Sequence, residues 1–255
     1  TRKKDQTIML AFVLGTIIGS VMGLTGSGGA LVSIPLFMHF LGMNLKDASV
    51  YSLSAVIFAS VINFLMQKKD AHIKESLIIV VLSAIGSYVS TPWKLQIPDS
   101  IITILLISIS AFALINVWAS KQVHNRHLPK KSLSYYFILI FSGFILGVLT
   151  TLTGLGGGVL LIPVMLRYLH LNHREAIASS LLAIALSSLF SLLIQIHHGV
   201  NFIVDFNTII LFAGMTCSAL ILKLSFKHVS SHTLLLFQRV VFSAVVIMAW
   251  LKLLL

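Results

Sequence analysis

A glycine cluster occurs twice inside strongly apolar sequence, and this repetition constrains the fold more than any other feature. Leu24-Thr25-Gly26-Ser27-Gly28-Gly29-Ala30 returns 128 positions later as Leu152-Thr153-Gly154-Leu155-Gly156-Gly157-Gly158. The same offset pairs Ile34-Pro35 with Ile162-Pro163, Gly15 with Gly143, Gly19 with Gly147, Asn44 with Asn172 and Ala48 with Ala176. It also pairs Ser52 with Ser180, Ser60 with Ser188, Gln67 with Gln195 and Gly86 with Gly214. Lys46-Asp47 aligns with Arg174-Glu175, preserving the sign of each charge, and after a short insertion Trp118 matches Trp250. Leu-rich chains match by chance at Leu and Ile. They do not match by chance, without a gap, at Gly, Pro, Asn, Gln and a charge pair, so the chain is an internal duplication.

Hydrophobic residues make up 57% of the 255 positions and charged residues only 10%, with a mean hydropathy of +1.00. A soluble domain carries roughly 25% charged residues. Apolar runs here reach the roughly 20 residues that span a bilayer. The chain therefore reads as an integral membrane protein, and the run beginning at Ile8 as its first helix rather than a signal peptide. The net charge of +11, from 18 Lys and Arg against 7 Asp and Glu, fits loops retained on the cytoplasmic side better than nucleic-acid binding. The single Cys217 excludes an intramolecular disulfide and a multi-cysteine metal site.

Apolar segments run over 8–24, 28–41, 48–66, 76–93 and 100–120. They resume over 135–152, 156–169, 176–196, 202–222 and 233–255. The expected fold is an all-α polytopic membrane protein of two repeats, each of about five membrane segments, with helices broken at the glycine-rich loops. Residues 1–120 form the first repeat, 121–132 a basic linker and 133–255 the second. An odd number of crossings per repeat inverts the second relative to the first, as in many secondary transporters. With the linker cytoplasmic, Lys68, Lys69, Lys74, Arg167, Arg174, Lys223 and Lys227 fall inside and Lys46 and Lys94 outside. That bias favours inversion, although Arg2-Lys3-Lys4 argues against an external N-terminus. A parallel arrangement of four crossings per half is the alternative.

Backbone N–H groups in hydrocarbon need partners. A glycine-rich break at membrane depth is tolerable only around a cavity or inside protein. Each break ends at a helix start, where free N–H donors and a partial positive charge meet, and glycine allows close backbone approach. Two such starts facing each other form an anion site without an intramembrane Arg or Lys. The expected substrate-binding residues are Thr25, Gly26, Ser27, Gly28 and Gly29 in one half, and Thr153, Gly154, Gly156, Gly157 and Gly158 in the other. Ser52 and Ser180 begin the following helices and join them. No Asp or Glu lies deep in a span, where a cation transporter usually carries intramembrane carboxylates. Gly15, Gly19 and Gly23 are read as helix-packing positions.

Paired glycine loops followed by Ile-Pro, with Ala176-Ile177-Ala178-Ser179-Ser180 opening a later helix, resemble the sulfite exporter TauE/SafE family over nearly the whole chain. The first loop departs from the family's longer glycine run, and Thr151 replaces the counterpart of Gly23. The resemblance implies a bacterial inner-membrane permease that moves a small sulfur-containing anion, sulfite or an organosulfonate, without ATP hydrolysis. Its expected partners are that anion and the lipid bilayer, with no nucleic acid, no cofactor and no metal; a homodimer is left open. A channel-like passive anion pore is one alternative. An intramembrane serine hydrolase, with Ser27 as nucleophile and His197 or His198 as base, is another. It is weakened because Ser27 corresponds to Leu155 while the flanking glycines persist. Adjacent His197 and His198 point about 100° apart on a helix and make a poor metal pair.

Overall fold

The computed structural model describes residues 2–25, 29–119, 133–202 and 204–225, together with Val240, Ser243 and Ile247. The described residues contain helices and no strand. They are α1 (Arg2–Thr25), α2 (Gly29–Phe40), α3 (Leu45–Gln67), α4 (Ile73–Gln96), α5 (Asp99–Ala119), α6 (Leu133–Thr153), α7 (Gly158–Arg167), α8 (His173–His197) and α9 (Phe206–Ser225). One 3-10 turn, Lys68–Asp70, joins α3 to α4. The basic linker lies outside the described residues, as do Gly26, Ser27 and Gly28.

Four stretches among the described residues are long and apolar enough to cross a membrane: Leu45–Asp70, Ile73–Lys94, Tyr135–Thr153 and Arg174–His197. Shorter apolar helices cover Ile8–Gly23, Leu31–Phe40, Asp99–Phe112 and Phe206–Ile221. At 1.5 Å rise per residue, α2 and α7 are about 18 and 15 Å long, half of a hydrocarbon core about 30 Å thick. Neither is long enough to cross it alone. The outer surface is apolar, with Met9, Phe137, Trp93, Ile115 and Val81 all more than half exposed. Serines and threonines are instead concentrated inside, as expected when lipid rather than water is the solvent.

The duplicated Asn44 and Asn172 are helix caps. The Asn44 side chain accepts from Asp47 N–H at 2.8 Å to start α3. Asn172 accepts from Glu175 N–H at 3.0 Å, and Glu175 Oε2 accepts from Asn172 N–H at 2.9 Å, a complete capping box on α8. Asp205 starts α9 by accepting from Thr208 N–H and Oγ1. Burial acts to raise the Asp205 carboxyl, but the hydrogen bonds from Thr208 outweigh it and hold the group below its ordinary range.

The equivalent helices α3 and α8 pack against each other in opposite directions. Val50, near the start of α3, clusters with Leu192, near the end of α8. His72, just past α3, donates from its backbone to Ser179 Oγ in the early turns of α8. The two cap sites consequently lie at opposite ends of this pair: His72 Nε2 is 3.9 Å from Glu175 Oε2, whereas Lys46 pairs with Asp99 at 3.5 Å.

Two further interfaces cross between the repeats, α1 with α9 and α4 with α6. Both are meshed by glycines whose added Cβ would strike the facing backbone. The two meshes share one register. α3 and α8 start 128 residues apart, at 45 and 173, whereas α4 and α9 start 133 apart, at 73 and 206, so the insertion between the repeats precedes α9. At the offset of 132 that relates Trp118 to Trp250, Gly143 faces Ile79 as Gly15 faces Leu211, and Gly147 faces Ser83 as Gly19 faces Met215. Gly86 is then the counterpart of Ser218 rather than of Gly214, which corrects the ungapped pairing of those two glycines.

Candidate functional site

The second glycine loop sits where α3, α6 and α8 meet. α6 ends at Thr153, and the chain turns through Gly154, Gly156 and Gly157 with φ of 75°, 64° and 63°. L-residues rarely adopt this left-handed region. Space imposes the same choice: a Cβ at Gly154 would meet the Ser49 backbone, at Gly156 the Val56 side chain, and at Gly157 the Leu146 side chain. Gly157 is the N-cap of α7 without a side-chain cap, and Gly158 is the first helical residue.

Residues 154–158 are all buried. Gly154 N–H donates to Thr150 O at 2.9 Å, and Leu155 N–H reaches Thr153 Oγ1 at 3.3 Å. No hydrogen bond joins the N–H groups of Gly156, Gly157 or Gly158 to another protein group among the described residues. Buried N–H groups are rarely left unpaired. Two hydroxyls beside them are also without partners. Thr150 Oγ1 lies 3.0 Å from where a Gly157 Cβ would stand, and Ser188 Oγ 3.3 Å from that of Gly156. Both residues are fully buried. Ser60 Oγ, the counterpart of Ser188, is likewise buried and unpartnered. Aligned unpaired donors at a helix start are what a small anion requires.

The expected hydroxyls take another part. Ser52 Oγ donates to Gly154 O at 3.1 Å and pairs with Ser33 Oγ at 2.7 Å. Thr153 Oγ1 donates to Leu149 O at 2.6 Å. Both bond the loop or its supporting helix and so shape it. Ser180 Oγ donates to Ile177 O at 2.8 Å within its own helix. In the first half, Thr25 closes α1 and Gly29 opens α2; the intervening Gly26, Ser27 and Gly28 are outside the described residues. The structure thus brings Ser52 to residues 154–158 and adds Thr150 and Ser188, which the sequence reading did not select. Ser188 was visible only as the repeat partner of Ser60.

A second departure is Lys94. The apolar run over 76–93 ends beside Pro92, which places Lys94 in an external loop. α4 instead continues to Gln96 and carries Lys94 into the interior, where it is only 3% exposed. Its ammonium donates to Ser49 Oγ at 2.8 Å and Gln195 Oε1 at 2.7 Å. Gln195 Nε2 donates to Ser191 Oγ at 3.1 Å, and Ser191 Oγ pairs with Thr151 Oγ1 at 2.9 Å. This chain of polar groups links α3, α4, α8 and α6 beside the loop. A separate cavity of about 340 Å³ is lined by Phe37, Tyr51, Ser54, Asp205 and Thr208. Its carboxylate repels anions, so it is not the matching site.

Comparison with known proteins agrees with this architecture. A probable membrane transporter protein of Xylella fastidiosa is 22% identical over 201 residues, covering 76% of each chain. The probable membrane transporter protein YunE of Bacillus subtilis is 28% identical over 211 residues, covering 72% of this chain and 76% of its own. A probable membrane transporter protein of Methanocaldococcus jannaschii is 29% identical over 196 residues, covering 73% and 70%. With its apolar helices, the chain is a multi-pass membrane transporter. The sequence profile of the family described as Sulfite exporter TauE/SafE matches residues 11–253, nearly the whole chain, and the protein belongs to that family.

Proposed function

We propose that the protein moves a small sulfur-containing anion, sulfite or an organosulfonate, across a bacterial inner membrane by alternating access. The observation that carries this reading is the buried loop at 154–158, where unpaired N–H groups and the free hydroxyls of Thr150 and Ser188 converge. Thr25 and residues 26–29 supply the matching half of the clamp by the internal duplication. An inverted arrangement of the repeats is supported by the opposed directions of α3 and α8 and by their caps at opposite ends.

Alternating access is supported by the opposed directions of α3 and α8. Inverted repeats around one central site let one half rock against the other, opening the clamp to each face in turn.

Counterflow in proteoliposomes tests the reading. Purified protein in vesicles preloaded with unlabelled sulfite takes up labelled sulfite saturably and faster than in empty vesicles. Flux that rises linearly with concentration and ignores internal sulfite would identify a passive pore instead.

A further inference from the structure

Lys94 is a charge that the packing leaves without a counter-ion. A lysine near a helix end in a membrane normally extends its ammonium to the interface; at 3% exposure this one does not. Its acceptors are neutral, a serine hydroxyl and an amide oxygen. Ser49 gives its own proton to Lys46 O at 2.7 Å and so only accepts from Lys94. Among the described residues no carboxylate pairs with Lys94. An ammonium has three N–H donors, and two are assigned here, which leaves one for a ligand. A charge buried in protein without a counter-ion is costly.

The position ties this charge to the loop. Ser49, which accepts from the ammonium, is also the residue against which Gly154 packs. The Gln195–Ser191–Thr151 chain returns to α6 three residues before Gly154. The charge is present in one half alone: the repeat counterparts of Lys94 and Ser49 are Phe226 and Ile177.

We propose that Lys94 is the charge-selecting residue of the anion site, pairing with the second negative charge of the cargo. This rests on the transporter reading above and deepens it. The loop N–H groups hold one oxyanion, and Lys94 sets the preference for a dianion over a monoanion or zwitterion. Ethanesulfonate, taurine and sulfoacetate test this, because they share a two-carbon sulfonate skeleton and end in a methyl, an ammonium and a carboxylate.

Calorimetric titration of the full-length protein in detergent compares the three in wild type, Lys94→Met and Lys94→Arg. Wild type prefers sulfoacetate to ethanesulfonate by about tenfold or more and binds taurine most weakly. Lys94→Met brings sulfoacetate and ethanesulfonate within about threefold, and Lys94→Arg keeps the preference. Wild-type binding without that preference overturns the Lys94 assignment while leaving the transporter reading standing, and it needs no variant to fold. A preference undiminished in Lys94→Met overturns it equally. Failure of wild type to bind any of the three, or sulfite, overturns both.

Discussion

Ser188 and Thr150 distinguish a loop that binds from one that only packs. A buried hydroxyl without a partner costs about 1–3 kcal/mol of desolvation. In a purely structural loop such a group would be replaced by a methyl. Ser188→Ala is therefore expected to leave the ligand-free protein equally stable, or more stable by up to about 1 kcal/mol, in thermal unfolding, while sulfite no longer raises the melting temperature. The glycines around it were legible in the sequence, since contiguous glycines in an apolar run break a helix rather than pack it. The hydroxyls were not, because Ser187, Ser188 and Ser191 look alike until the fold shows that Ser188 is unpartnered. Lys94 was illegible for a related reason: its burial comes from α3 and α8, far from it in sequence, and Pro92 beside it suggested an end.

Helix ends carry a different part of the account. Hydropathy placed the starts of α3 and α8 at Ala48 and Ala176, but the helices begin at Leu45 and His173. The first turns contain Lys46-Asp47 and Arg174-Glu175, so an apolar run marks membrane depth rather than helix extent. The repeated Asn and the charge pair were visible as repetition, and their role emerges as capping. Asn172→Ala removes the capping box and is expected to cost about 1 kcal/mol, seen as a lower unfolding temperature in detergent. Because Asn172 and Glu175 lie at the end of α8 away from Lys94, anion affinity stays near the wild-type value. A large loss of affinity with unchanged stability would place the cap in the site instead.

Across the whole molecule, the duplication could be read from sequence alone, but the place of its insertion could not. Gly86 and Gly214 look equivalent 128 positions apart, and only the packed helices show that Ile79 answers to Leu211 and Ser83 to Met215, 132 apart. The α1–α9 and α4–α6 interfaces then share one register. A Cβ at Gly86 would strike the Phe144 carbonyl, so Gly86→Ala forces α4 and α6 apart. The expected result is a loss of about 1–3 kcal/mol from overpacking, seen as a lower unfolding temperature in detergent. Unchanged stability would mean that this close approach does not hold the halves together. The central claim is that the two halves share one anion site. It is tested most directly by titrating sulfite into wild type, Ser60→Ala and Ser188→Ala, the matched unpartnered hydroxyls of the two repeats. The account predicts one anion per chain, bound about tenfold more weakly in either variant. Unchanged affinity in both variants, or two independent sites with only one affected by each change, would contradict it.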